Sequence, residues 1–308
     1  MKLNLRASSK SHRVLIFGPP KSGKSFLAGK LSSDFNLLWF DLENGADTLF
    51  QLPVSQQERI ELVSIPDTRS FPVAIETCLK AIRGNKGTIC EAHGKWDCPA
   101  CKKVGDPAID IQLSALPLDS IVVFDSLTQL TNSAIAHITK NQPDDYKLTY
   151  EDWGNLGKLL DTFLSHVQQA GFHVVCISHE TEAEMEDGRQ KLVPTAGTRN
   201  FSRNTAKYFD EVIYCEVKNR KHIAASSTIY NNNILTGSRS GSSLETETDP
   251  SLVSLFKGEK KSTTTSISSP NMLVMSAGQS NMLASQATPA NKSLTTLQEM
   301  RAKLGAPK

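Results

Sequence analysis

Two short stretches carry residue types and spacings that could do chemistry. Gly18-Pro-Pro-Lys-Ser-Gly-Lys-Ser25 fits G-x-x-x-x-G-K-[ST] at every fixed position. In such a loop, glycines let backbone N–H groups turn inward around phosphate oxygens. A helix that follows adds its positive end. The loop residues Gly18, Pro19, Pro20, Lys21, Ser22, Gly23, Lys24 and Ser25 would then cradle a nucleotide such as ATP. Lys24 would reach the β- and γ-phosphates, and the Ser25 hydroxyl would hold Mg²⁺. The second stretch, TICEAHGKWDCPACKK, brings Cys90, His93, Cys98 and Cys101 close together. C-x2-H and C-x2-C are two hooks that can wrap one ion, a tetrahedral Cys₃His set suited to Zn²⁺. Four protein ligands leave no open position for water, so the zinc expected here is structural. The alternative is four unrelated residues. Lys95, Trp96, Lys102 and Lys103 line the hook, either as a surface for nucleic acid or a partner protein or as a solvated rim.

These residues need elements to hold them in place. RVLIF reads as a strand running into the glycine loop. KSFLAGKLSS then fits a helix with Phe26, Leu27 and Leu31 on one side. LLWFD, RIELVSI, SIVVFD, FHVVCIS and EVIYCEV read as further strands. WGNLGKLLDTFLSHVQQAG is a helix, with Trp153, Leu156, Leu159, Leu160, Phe163, Leu164 and Val167 at spacings of three and four and Gly171 as its stop. Apolar strands separated by helices predict an α/β fold with a mostly parallel sheet buried on both faces. Asp125 closes SIVVFD, at the strand end where the ligand crevice of an open sheet lies. It is expected to bind Mg²⁺ through water. Asp41 and Glu43 follow the second strand, where a carboxylate can lean over the γ-phosphate and orient an attacking water. The metal hook falls between the third strand and the Asp125 strand, so residues 88–104 read as a zinc-stapled insertion too poor in apolar residues to fold unaided.

The bulk composition narrows the classes. The chain has 308 residues, 39% hydrophobic and 21% charged, with a net charge of +2. That charge does not by itself point to a nucleic-acid partner. No run approaches the ~20 apolar residues of a membrane span. MKLNLRASSKSHR has no apolar leader core, which predicts a cytoplasmic protein. There the remaining cysteines, Cys78, Cys176 and Cys215, are most simply buried small residues. Residues 1–12 read as an N-terminal arm and 13–242 as the core. From about residue 243 the chain turns Ser-, Thr-, Asn-, Gln- and Pro-rich, which predicts a mobile tail over 243–308. Within it, Leu294, Leu297, Met300 and Leu304 stand at near-helical spacing. They form either a frayed terminus or a short helix that folds against a partner.

WFDLENGAD, VVFDSLTQL and VVCISHE resemble, in that order, the ATPase core of RecA-like recombinases. They are most similar to the phage-encoded branch, whose members act in single-strand annealing and recombination. The resemblance spans roughly residues 13–240. It implies a RecA-like P-loop NTPase core, a DNA-dependent ATPase acting on single-stranded DNA, and the cytoplasm of a bacterial host. It makes Glu43 the catalytic carboxylate that activates water and Asp125 the Walker-B residue. Glu43 as a solvated loop acid is the alternative. RecA carries a glutamine where His179 stands, and there it senses the γ-phosphate. His179 takes that role or satisfies a carbonyl at the strand end.

RecA-like proteins grip DNA with two loops, which here would be HITKNQPDDYKLTYED and EMEDGRQKLVPTAGTRNFSRNTAK. The second holds Arg189, Lys191, Arg199, Arg203 and Lys207 with Phe201 among them, the mixture that single strands favour. It is otherwise a solvated surface loop. Tyr146 and Tyr150 are the stacking candidates of the first. EVKNRKH resembles a basic stretch that reaches a neighbour's γ-phosphate in RecA. Lys218, Arg220 and Lys221, with Arg239, are candidates, and such a role requires a homo-oligomeric ring or filament. A single-strand-binding protein is a candidate partner for the tail. Three rivals remain: an ATP-controlled annealing scaffold with little turnover, a helicase-like ring motor, and a nucleoside monophosphate kinase.

Overall fold

The computed structural model describes residues 11–226, 231–239, 247–248 and 250–257. The chain divides into two compact units, residues 1–262 and 263–308, and every described residue belongs to the first. The terminal segment around Leu294–Leu304 and most of the N-terminal arm lie outside the described residues.

In chain order the elements are β1 (Arg13–Gly18), α1 (Lys24–Gly29), β2 (Asn36–Asp41), α2 (Val54–Gln57), β3 (Ile60–Ser64) and α3 (Ala74–Ile82). Then come β4 (Gly87–Cys90), α4 (Pro99–Val104), β5 (Ala108–Ile111), β6 (Ser120–Asp125), α5 (Leu127–Thr139) and α6 (Tyr150–Gln169). The chain continues through β7 (His173–Glu184), β8 (Gln190–Pro194), α7 (Arg199–Asn204), β9 (Glu211–Lys218) and β10 (Lys221–Ala225). It ends with β11 (Gly237–Ser238), β12 (Glu247–Thr248) and α8 (Val253–Lys257).

The main sheet has the order β12-β10-β9-β1-β7-β6-β2-β3. From β9 to β3 every pairing is parallel. β10 and β12 close the edge in antiparallel fashion. Side chains alternate between the two faces. Leu15, Phe17, Phe40, Phe124 and Cys176 face the layer of α3, α5 and α6. Val14, Ile16, Trp39, Val123 and Ile177 face α1 and α8. Each fully buried Phe contributes about 1.5–3 kcal/mol, and Phe124 packs against both Phe40 and Phe163, at centroid distances of 4.9 and 5.1 Å.

Helix α6 starts at a capping box, in which Thr149 and Asp152 satisfy each other's backbone N–H. Leu156, Leu160, Phe163, Leu164 and Val167 form its buried stripe. Trp153 stands at the edge of that stripe, 39% exposed.

Three expectations are corrected. The segment read as a long second loop instead continues β7 to Glu184, turns at Asp187-Gly188 and returns as β8 and α7. Asp-Gly at that point is a hairpin signal in its own right, and Gly188 has φ 77. The core also does not stop at 242. β12 pairs with β10, and Leu252, Leu255 and Phe256 are buried against the sheet. The segment carrying the metal hook is larger than 88–104: β4 and β5 pair antiparallel from Gly87 to Ile111, so the hook is mounted on a two-stranded ribbon. Its Trp96 is not on a rim. It is 5% exposed and belongs to the main core.

Candidate nucleotide site

The strand order sets the site. β7 lies between β1 and β6, so the glycine loop and Asp125 are one strand apart. Register then aligns Gly18 with His179 and Asp41 with Asp125 at the same end of the sheet. Residues far apart in sequence thus converge because their strands are parallel and end together.

The loop itself requires two glycines. Gly18 has φ +152, and a Cβ there would stand 2.0 Å from the Cys215 carbonyl oxygen of β9. Gly23 has φ +89, and a Cβ there would stand 2.8 Å from the His222 ring. Pro19, Pro20 and Lys21 form the outer turn, and Ser22 is buried beneath it. Lys24 is 6% exposed, and its Nζ donates to the carbonyls of Gly18 and Pro19 at 3.1 and 2.8 Å. Burial draws its ammonium below the usual lysine range. An ammonium held by two carbonyls at the centre of the loop can be taken over by phosphate oxygens.

The Ser25 hydroxyl donates to Asp125 Oδ2 at 2.7 Å. Burial pushes the Asp125 carboxyl up to about 7, against the pull of that hydroxyl, and the charges of Glu43 and Asp41 raise it further. A hydroxyl and a buried carboxylate with two more acids nearby form an oxygen donor set suited to Mg²⁺.

Glu43 stands after β2, its carboxylate accepting from the Ser126 hydroxyl and lying 3.4 Å from His179 Nε2. Burial works against its charge, but the bonds from His179 and Ser126 prevail and hold the carboxyl below the usual range. A carboxylate kept ionised at a site that water reaches can accept a proton from that water. His179 in turn has its backbone N–H on Thr128 Oγ1 at 2.9 Å, and its carbonyl accepts from Thr195 N at 2.8 Å.

Sequence reasoning passed over Ser126, Thr128 and His222 here, and named Asp41 only as a carboxylate able to lean over the γ-phosphate. Asp41 is buried, and its carboxylate accepts from the N–H groups of Glu43, Gly45 and Ala46, which sets the turn that carries Glu43. Ser126 both holds Glu43 and caps α5, accepting from Gln129 N at 3.2 Å. Thr128 ties α5 to β7. His222 Nδ1 lies 3.0 Å from the Ser22 carbonyl oxygen, bracing the glycine loop from outside. For Asp41 the signal was available: an acid directly before L-E-N-G is a side-chain turn cap.

Beside the glycine loop is a cavity of ≈ 540 Å³ lined by Lys21, Phe26, Lys30, Arg220, Lys221 and His222, among others. Two of the residues expected to act on a neighbour, Arg220 and Lys221, thus line their own chain's cavity. Lys218 ends β9 and is exposed. Arg239 instead faces Asp210 at 3.9 Å, beside Arg13 at the opposite end of β1.

The DNA-binding candidates scatter along the hairpin and α7. Arg189 sits at the turn and is paired with Asp187. Lys191 lies on β8, half-buried. Arg203 donates to the Glu184 carbonyl at 2.7 Å. Arg199 is exposed. Lys207 covers the Tyr208 ring at 4.7 Å. Phe201 is half-buried, packed on the core and stacked against Tyr208, and it also lines a cavity with Lys207 and Tyr208. Tyr150 is 98% exposed, and Tyr146 donates to Asp152 at 2.6 Å. No helix among the described residues is long and apolar enough to cross a membrane.

The metal hook closes on itself. The donor atoms of Cys90, His93, Cys98 and Cys101 all lie within 4.8 Å of one another. His93 Nδ1 points into the three sulfurs, at 3.0 Å from Cys101 and 3.8 Å from Cys90 and Cys98. The edges of a tetrahedron with Zn–S near 2.3 Å and Zn–N near 2.0 Å are about this long. The donors therefore fit one zinc ion.

A comparison with characterised protein sequences gave no match. Among solved structures, the chain is similar to the RadB recombinase at 13% identity, covering 70% of this chain and 80% of that one, with a TM-score of 0.37. It is also similar to an ATPase from the type III secretion system of pathogenic bacteria at 14% identity, covering 67% of this chain and 52% of that one, with a TM-score of 0.40. Both likenesses are too distant to bear on function. The AAA domain family matches residues 10–248, well over half the chain. With the glycine loop on β1, Asp125 on β6 and β7 between them, the chain belongs to the AAA domain family and has a P-loop ATPase core.

Proposed function

We propose that this protein is a DNA-stimulated ATPase of the phage-encoded recombinase branch, working as a homo-oligomer on single-stranded DNA in recombination, annealing or replication. The observation that carries this reading is the placement of Glu43. It is held by Ser126 and His179 at the sheet end that bears the Ser25–Asp125 pair, and His179 lies on the strand that continues into the β7–β8 hairpin.

The residues divide the work as follows. Backbone N–H groups of Gly18–Ser25 bind the phosphates, and Lys24 leaves the Gly18 and Pro19 carbonyls to meet them. Mg²⁺ held by Ser25 and Asp125 would offset the charge on the transferring phosphoryl group. Glu43 orients the attacking water and takes its proton. The cavity by Phe26 and Arg220 takes the base and sugar. His179 links Glu43 to the hairpin, so DNA on that hairpin and on the 140–149 connection shifts the Glu43 contacts. Lys191, Arg199 and Lys207 are the phosphate contacts there. Lys218, with Arg220 and Lys221, remains the candidate set for completing a neighbour's site.

The test is ATP hydrolysis with and without single-stranded DNA, for the wild type and Glu43→Gln. The expected result is strong stimulation by DNA, with turnover about 10²–10⁴-fold lower in Glu43→Gln and ATP binding retained. Phosphate passing to an added nucleoside monophosphate would mean a kinase and refute the reading. Slow turnover with ATP-dependent DNA binding would favour the annealing scaffold.

A further inference from the structure

The metal hook and the Glu43 turn are joined by a short path. A cavity of ≈ 560 Å³ lies beside Glu43 and His179, and one of its walls is the segment Ile65–Thr68 that follows β3. That wall is braced from both sides. On the inner side, Ile65 N–H donates to the Asp41 carbonyl at 3.0 Å, and the Asp41 side chain holds the Glu43 turn. On the outer side stands Gly94, the residue directly after the ligand His93. A Cβ on Gly94 would be 2.6 Å from Ile65 Cα and 3.0 Å from Pro66 Cδ, so the two backbones are in contact.

Gly94 is itself fixed. Its N–H donates to the Cys90 carbonyl at 2.9 Å. Its carbonyl accepts from Thr77 Oγ1 of α3 at 3.1 Å, and that same oxygen accepts from Trp96 N at 3.3 Å. The end of the wall is held too, with the Phe71 ring edge-on to His93 at 6.1 Å. The hook is thus the back support of the wall. Cys90 ends β4, His93 lies in the turn after it, and Cys98 and Cys101 belong to the start of the short α4, with few apolar contacts of their own beyond the three sulfurs. A metal ion is what would make that support rigid.

We infer that a zinc-filled hook is a positioning element of the hydrolytic site, acting through Gly94 on Ile65 and so on the Glu43 turn, and setting turnover without touching nucleotide. This rests on the zinc reading of the hook and on the role proposed for Glu43. Thr77 and Gly94 are its positioning residues. The glycine loop hangs on β1, four strands across the sheet from β3, against whose end the hook stands, so nucleotide affinity should be independent of the hook.

The experiment uses the full chain in three forms: wild type, Gly94→Ala and Thr77→Val. Gly94→Ala keeps all four ligands but presses on Ile65, and Thr77→Val keeps shape while losing both bonds to the hook. Metal content, cobalt(II) substitution spectra, hydrogen exchange over 41–46 and 65–71, ATP affinity, and kcat and KM are measured. The expected result is one tightly held metal in every form. A displacement of about 1 Å can cost up to ~10²-fold, so kcat should fall at least about ten-fold in Gly94→Ala, with ATP affinity and KM within about two-fold. Exchange should quicken over 41–46 in both variants and on chelation of the wild type. Metal bound with kcat and exchange unchanged in both variants overturns this inference alone. Absence of metal, with no thiolate–cobalt absorption, overturns it together with the zinc reading. Wild-type turnover in Glu43→Gln overturns it through the other premise.

Discussion

Asp41 is 3% exposed, and three backbone N–H groups converge on its carboxylate at 3.1–3.3 Å. Asp41→Ala removes all three bonds at once. The bonds are long, and Glu43, Asn44 and Gly45 are exposed, so water can replace part of what is lost. At about 0.5–1 kcal/mol for each bond, the expected destabilisation is about 1.5–3 kcal/mol. Asp41→Asn keeps one oxygen acceptor but turns an amide toward the third N–H, so it should cost roughly half as much. Urea unfolding at constant m-value reads this loss. Turnover should fall further than stability suggests, because a freed turn lets Glu43 leave Ser126 and His179. A fall of about 10–100-fold in kcat is expected, with ATP affinity retained because the glycine loop is untouched. If Asp41→Ala unfolds within about 0.5 kcal/mol of wild type and keeps its kcat, the turn is not held by Asp41 and the reasoning fails.

Gly18→Ala should be among the most damaging single changes, costing upwards of about 4 kcal/mol, since its Cβ would stand 2.0 Å from a backbone oxygen. Wild-type thermal stability with normal ATP binding in this variant would contradict the structure. The second test is acidification. Burial, then the charges of His12 and Arg13, lower His173 from 6.5 to about 4, while its ring packs against His12, Phe35 and Phe256 and its Nδ1 accepts from His12 N–H. A histidine neutral in the fold and titrating near 6.5 when unfolded contributes stability that is complete above about pH 6.5. That contribution is lost as pH falls toward 4. The full shift would correspond to about 3 kcal/mol, but His173 is only partly buried, so about 1–2 kcal/mol is expected across that window. His173→Phe should flatten the slope in denaturant titrations at pH 4–7, and an unchanged slope would assign it elsewhere.

Much of the site was legible in the chain itself. The G-x-x-x-x-G-K-S spacing, Asp125 after a β-branched run, Glu43 after β2 and the Cys₃His hook are local patterns. Local chemistry alone limits what they can become. The apolar runs gave the parallel sheet for the same reason, since a strand buried on both faces has no polar alternation to hide. What the chain did not disclose is what depends on register and on crossing. That β7 enters between β1 and β6 decides that His179 stands opposite Gly18, and the parallel pairing of β2 with β6 decides that Glu43 finds Ser126. Phe201 reads as an exposed aromatic among cations, yet it is claimed by the core through Tyr208. Leu252 and Phe256 read as part of a polar tail, yet they fill a gap on the second face of the sheet that their neighbours cannot reveal. The metal hook is clearest of all. Its four ligands are a property of twelve consecutive residues, but its contact with Ile65 through Gly94 exists only because α3 and the β4–β5 ribbon carry it back against the end of β3. Sequence spacing determines which chemistry a segment can hold. Packing between distant segments decides which other chemistry it can reach.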